Sequence, residues 1–110
     1  MDELRPGVPI PTSSTGRPVM VLLDLLGRRA ALRILWELSQ ESPMTFRALQ
    51  TASETNPGVL NTRLKELRAL DLVEHGEGGY RVSVRGAELS EILRTLTTWA
   101  SNWSDLPNEP

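Results

Sequence analysis

At Asp71 the apolar residues of this chain change their spacing, and that change governs what the chain can fold into. Before it, Leu60, Leu64, Leu67 and Leu70 recur at the three- and four-residue intervals of a helix with one buried face. After it come two short β-like segments, Leu72 to His75 and Tyr80 to Val84, separated by Gly76-Glu77-Gly78-Gly79. Glycines at that place supply the positive φ angles of a tight hairpin. Asn56-Pro57 marks where the helix starts, because the Asn side chain accepts from an orphan backbone N–H and proline at the first helical position sacrifices no hydrogen bond. The helix therefore runs from Pro57 to about Leu70, with Asn61, Thr62, Lys65, Glu66 and Arg68 facing outward.

The rest of the chain supplies more helices. Residues 1–17 hold Pro6, Pro9, Pro11, Gly7, Gly16 and a Thr12-Ser13-Ser14-Thr15 run, which reads as a flexible arm. From Pro18, Val19, Leu22, Leu23 and Leu26 repeat at helical spacing until Gly27. A second helix follows from Arg28 to about Gln40, its buried face built by Ala31, Leu32, Ile34, Leu35 and Leu38. Thr45 caps a short third helix from about Phe46 to Ser53, and Glu54-Thr55-Asn56 breaks it from the fourth. Beyond the hairpin, Ser83 caps a last helix from about Val84 to Trp103, with a long stripe through Leu89, Ile92, Leu93, Leu96, Trp99, Ala100 and Trp103. Residues 104–110 read as a polar, flexible tail. The expected fold is thus mainly α with a small β hairpin, one domain over 18–103, of the winged helix-turn-helix kind.

Composition removes several function classes. A chain of 110 residues fits one hydrophobic core, and 39% hydrophobic with 24% charged residues is ordinary for a globular protein. It contains no cysteine, so disulfides, zinc-cysteine sites and thiol redox chemistry are out of reach. The longest apolar run, Val19 to Leu23, is far short of a membrane span, and Asp2 and Glu3 stand where a signal peptide carries positive charge; a cytoplasmic protein with no membrane partner is expected. Net charge is −2, yet residues 17–103 hold 11 Lys or Arg against 10 Asp or Glu, so the folded part is close to neutral.

Enzyme chemistry has no visible machinery. His75 is the single histidine, beside Glu74 and Glu77 at the hairpin, and reads as an exposed residue rather than one of several convergent metal ligands. Gly76, Gly78 and Gly79 make no dinucleotide fingerprint, because Arg81 stands where a third glycine belongs and a strand follows in place of a helix. No hydroxyl has a base in a plausible constellation. Neither catalysis nor a cofactor is expected.

Pro18-Val19, then Ile34-Leu35-Trp36, then Asn56-Pro57-Gly58-Val59-Leu60-Asn61-Thr62, then Asp71-Leu72-Val73-Glu74, in that order over roughly Pro18 to Trp103, resemble the HxlR-type transcriptional regulators. Pro18-Val19 followed by Leu23-Asp24-Leu25-Leu26-Gly27 is similar to the family's opening helix, Ile34-Leu35-Trp36-Glu37-Leu38 to its second, and Met44-Thr45-Phe46-Arg47-Ala48-Leu49 to the first helix of its DNA-reading pair. The run Asn56-Pro57-Gly58-Val59-Leu60-Asn61-Thr62-Arg63-Leu64-Lys65-Glu66-Leu67 resembles the recognition helix, and Asp71-Leu72-Val73-Glu74 leads into the wing. Tyr80-Arg81-Val82-Ser83, Gly86 and Trp99 continue the likeness. Departures are Arg17 for the family's cysteine, which removes thiol sensing, Ala30 for an aromatic residue, Gly58 for a basic one, and a short wing with Glu77 at its tip. The resemblance implies a homodimer that presents two recognition helices to successive turns of a palindromic double-stranded DNA operator.

The residues make a physical case beside that likeness. The fourth helix brings its N-terminal end, Asn56, Pro57 and Gly58, toward DNA with a positive dipole end that favours phosphate. Asn61 and Thr62 are candidate base readers; Arg47, Arg63, Lys65, Arg68, Arg81 and Arg85 are candidate phosphate contacts. Arg63 equally suits bracing against Glu37 or Glu66, and Lys65 and Arg68 suit an ordinary solvated face. Val19, Leu22, Leu23 and Leu26 with Leu89, Ile92, Leu96, Trp99 and Trp103 form the expected dimer interface, burial in the core being the alternative. A small-molecule effector pocket lined by Leu22, Leu26, Trp36 and Trp99 is conceivable, against a filled core. The rival to a DNA-binding regulator is a winged-helix adaptor that dimerises and binds protein instead of DNA, a reading that near-neutral charge, Gly58 and Glu77 keep open.

Overall fold

The computed structural model describes residues 17–103; the arm expected over 1–17, save Arg17, and the tail expected over 104–110 lie outside the described residues. The order is α1 (Pro18–Leu26), α2 (Ala31–Gln40), α3 (Phe46–Ser53), α4 (Pro57–Ala69), β1 (Val73–Gly76), β2 (Gly79–Val82) and α5 (Val84–Trp103), as mainly α with one hairpin requires.

The second helix sits at the centre, touching α1, α3, α4, α5 and β2. Its Ala31, Ile34, Leu35 and Leu38 are buried, and they meet Val21, Leu25 and Leu26 of α1, Leu49 of α3 and Leu60, Leu64 and Leu67 of α4 in one core. Each of the fully buried leucines contributes about 2 kcal/mol by leaving water. Two sequence expectations for α2 change. It starts at Ala31 and not at Arg28, because Ala30 is left-handed (φ 69°) and Ala31 N–H closes a turn on the Arg28 carbonyl at 3.1 Å. Leu32, expected inside, is 46% exposed, one position off the inward stripe.

Local signals set the other boundaries. Thr45 Oγ1 accepts from Ala48 N–H at 3.1 Å, Asn56 Oδ1 from Val59 N–H at 2.8 Å, and Ser83 Oγ from Gly86 N–H at 2.9 Å, so all three expected caps are made. The hairpin pairs Val73 with Val82, Glu74 with Arg81, His75 with Tyr80 and Gly76 with Gly79. Gly78 and Gly79 carry the positive φ angles there, 87° and 122°, while Gly76 does not. The wing is docked by its second strand, since Tyr80 and Met44 exchange N–H to O bonds of 2.8 Å each way. A Cβ on Gly79 would stand 2.2 Å from the Met44 carbonyl oxygen, and one on Gly86 2.0 Å from that of Leu72, so α5 leaves the wing in contact with its root.

The 20 residues of α5 span about 30 Å. Only the first half joins the body: Gly86 and Ser90 are buried and Leu89 and Leu93 pack on the core, whereas Ile92, Leu96, Trp99 and Trp103 are exposed.

Candidate nucleic-acid interface

Three residues, Glu54 to Asn56, separate α3 from α4. Glu54 takes the left-handed conformation (φ 53°) that ends α3, and the Asn56 cap with Pro57 in the first turn starts α4 at once. Inward-facing Leu60, Leu64 and Leu67 then fix which side of α4 meets solvent. Gly58, Asn61, Lys65 and Arg68, three or four residues apart, make an exposed stripe. Thr62 is half-buried at its edge, and Arg47 is exposed on α3. Among the described residues, Arg47, Lys65 and Arg68 have no ion-pair partner. Gly58 leaves the first turn bare, because a Cβ there would meet only Asn56 Oδ1, at 3.4 Å.

Other expected contacts lie elsewhere. Arg63 is committed to the protein: its Nε donates to the Arg29 carbonyl at 2.9 Å and its Nη1 to Glu66 Oε1 at 2.9 Å, with the side chain only 13% exposed. It braces the helix, the structural alternative for this residue, and is not a free cation. Glu66, expected outward, is wholly buried and also accepts from Arg28 Nη1 at 2.7 Å, because two guanidinium groups compensate a carboxylate that water does not reach. Arg81 folds back along the wing and donates to the Glu77 carbonyl at 2.7 Å. Arg85 lies on a groove between α1 and α5. Asn56, exposed, spends its side-chain oxygen on the cap. Sequence reasoning passed over Arg29, an exposed cation on the turn beside α4, whose carbonyl Arg63 holds; its signal lay only in the partner of Arg63.

The wing is acidic at its end. Glu74 and Glu77 are exposed, and His75 stacks on Tyr80 with ring centroids 4.1 Å apart and planes 6° apart. Among the described residues no three His, Asp or Glu side chains gather as metal ligands.

Of the apolar residues expected at a dimer interface, Val19, Leu23, Ile92, Leu96, Trp99 and Trp103 are exposed, and Leu22 and Leu89 are half-buried. Leu26 is 8% exposed and packed within the core, so its place is inside the chain. Met20, 42% exposed, joins the apolar surface unforeseen. Trp99 and Trp103 stack on each other, 5.5 Å between centroids. A groove of about 360 Å³ between α1 and α5 has Leu22 on its wall; Leu26 is buried in the core, as the filled-core alternative has it, and Trp99 stands exposed on the far half of α5. Among the described residues no helix is long and apolar enough to cross a membrane.

A family model described as HxlR-like helix-turn-helix matches residues 25–108. No curated protein and no solved structure matches.

Proposed function

Because the chain belongs to the HxlR-like helix-turn-helix family, a family of DNA-binding transcription regulators, we propose that it is a cytoplasmic homodimer that reads a palindromic operator with α4. The observation that carries the reading is the outward stripe of α4. Asn61, Lys65 and Arg68 stand exposed on a helix whose N-terminal turn is capped, bare at Gly58 and flanked by Arg47. Side chains of that kind match the two parts of DNA recognition: an amide for a base edge, cations for phosphates. The positive end of the helix adds to the attraction for phosphate.

The dimer half of the proposal rests on the terminal helices. Val19, Met20 and Leu23 on α1 and Ile92, Leu96, Trp99 and Trp103 on α5 are large apolar side chains left exposed by the chain's own packing, the kind of surface a partner covers. On α5 the positions Leu89, Ile92, Leu96, Trp99 and Trp103 alternate steps of three and four, the seam spacing of two helices packed side by side. A two-fold pair made this way presents two copies of α4 in opposite senses, which an inverted-repeat site matches.

The adaptor reading keeps one specific observation, the exposed Glu74 and Glu77 on the wing, which repel a phosphate backbone. Selection from a pool of random duplexes at low salt separates the two. Recovery of a palindromic consensus supports the regulator; an intact dimer that retains no duplex leaves the adaptor.

A further inference from the structure

Glu66 divides its two oxygens between arginines from different parts of the chain. Oε2 accepts from Arg28 Nη1 at 2.7 Å and Oε1 from Arg63 Nη1 at 2.9 Å. Arg28 stands in the turn after α1, and its Nη2 reaches back to Asp24 Oδ2 on that helix at 3.2 Å. Arg63 adds the bond from Nε to the Arg29 carbonyl in the same turn. The carboxylate itself is 0% exposed.

Such a cluster is poor evidence for stability, because removing the charges from water offsets most of their attraction. What it adds is direction. The leucine face of α4 holds the helix against the core by contacts that are nearly indifferent to a small roll. Charge-assisted hydrogen bonds are short and angular, so the two that cross from α4 to the turn after α1, Arg28 to Glu66 and Arg63 to the Arg29 carbonyl, fix the roll and slide of α4; Glu66 steadies Arg63 from within α4, and Asp24 ties Arg28 back to α1. Asn61 and Lys65 ride on α4, and the exposed Val19 and Leu23 ride on α1.

We infer that Glu66 is a positioning residue: through Arg28 and Arg63 it sets the orientation of α4 against α1, and thereby the separation of the two recognition helices in a dimer. The consequence for separation rests on the DNA-reading dimer proposed above; the orientation within one chain does not.

Two measurements on the full-length chain decide it. The protein has no cysteine, so spin labels at Met20→Cys on α1 and Asn61→Cys on α4 are site-specific, and dilution into unlabelled chain isolates the distance within one copy. A narrow distribution is expected in the parent background and a broadened or displaced one with Arg28→Met or Glu66→Gln. If Glu66→Gln fails to fold, Arg28→Met carries the test, because it leaves Glu66 paired with Arg63. A distribution unchanged in centre and width overturns the inference. In the second measurement the palindromic duplex recovered from the random pool is lengthened at its centre by one base pair, which weakens the unlabelled parent by about tenfold. Arg28→Met is expected to lose no more than about threefold on the same insertion. An equal loss on every spacing means a merely structural role and overturns it too. Should the parent bind no duplex, the DNA reading falls while the label distance still decides the role of Glu66.

Discussion

Tyr80 of the wing and Met44 before α3 hold each other by both backbone bonds, 2.8 Å in each direction, so the hairpin is tied to the start of the helix pair it flanks. Gly79 permits that approach. Gly79→Ala puts a methyl group 2.2 Å from the Met44 carbonyl oxygen at a φ of 122°, and the expected loss in urea unfolding is about 2 kcal/mol or more. Gly76→Ala, with nothing within 4 Å of the new carbon, is expected to stay within about 0.5 kcal/mol of the parent. Equal stability of the two variants would sink this account of the wing.

Asn61→Ala and Lys65→Ala are expected to fail differently. The first loses about 1 to 3 kcal/mol on the selected duplex and relaxes base preference at one position, since a base-edge partner is gone. The second weakens binding nearly equally on all sequences and reduces the salt slope by about one, since a phosphate contact and its counterion are gone. Binding measured at several salt concentrations on matched and mismatched duplexes distinguishes the two patterns.

Leu96→Glu or Trp103→Glu places a charge in the apolar seam of α5. Association, followed by sedimentation over a concentration series, is expected to weaken by at least about tenfold. The helical signal is expected to survive, because neither side chain belongs to the buried core of its own chain. A parent protein that sediments as a monomer at tens of micromolar removes the dimer altogether.

Loss of a cap isolates what holds the start of α4. Asn56→Ala removes the acceptor of Val59 N–H and is expected to lower unfolding stability by about 1 kcal/mol, with Asn56→Ser recovering most of it. Thr45→Ala at α3 is expected to behave alike, because Ala48 N–H is left without its side-chain acceptor. No change in either variant means that water serves those groups equally well.

The parts of the fold that were legible from sequence are those decided within a few residues. Caps at Thr45, Asn56 and Ser83 sit three positions from the N–H groups they serve, and glycines 78 and 79 sit in the turn they permit. What escaped was decided at a distance. The local pattern reads Glu66 as a solvated residue on a polar flank, and Arg28, 38 positions away, joins Arg63 in compensating it inside. Arg63 is claimed by a carbonyl 34 positions away, so a local pattern left phosphate and brace equally open. The left-handed Ala30 has no signature of its own, and it moved the start of α2 to Ala31; Leu32 emerges because it lies off the stripe through Ala31, Ile34, Leu35 and Leu38. The candidate site was legible as a helix and a face; the allotment of its arginines was not.

The two halves of α5 live under different constraints. Up to Leu93 the helix is part of the packed body, and Gly86 admits no side chain against Leu72. From Leu96 outward the apolar residues are exposed and no part of the buried core that holds α4. Changes in the outer half can therefore alter pairing without disturbing the packing that places α4 within one chain. Among diverging duplicates of such a gene, mixed pairs would be excluded by a few substitutions near Trp99 and Trp103 that leave the fold of each chain intact.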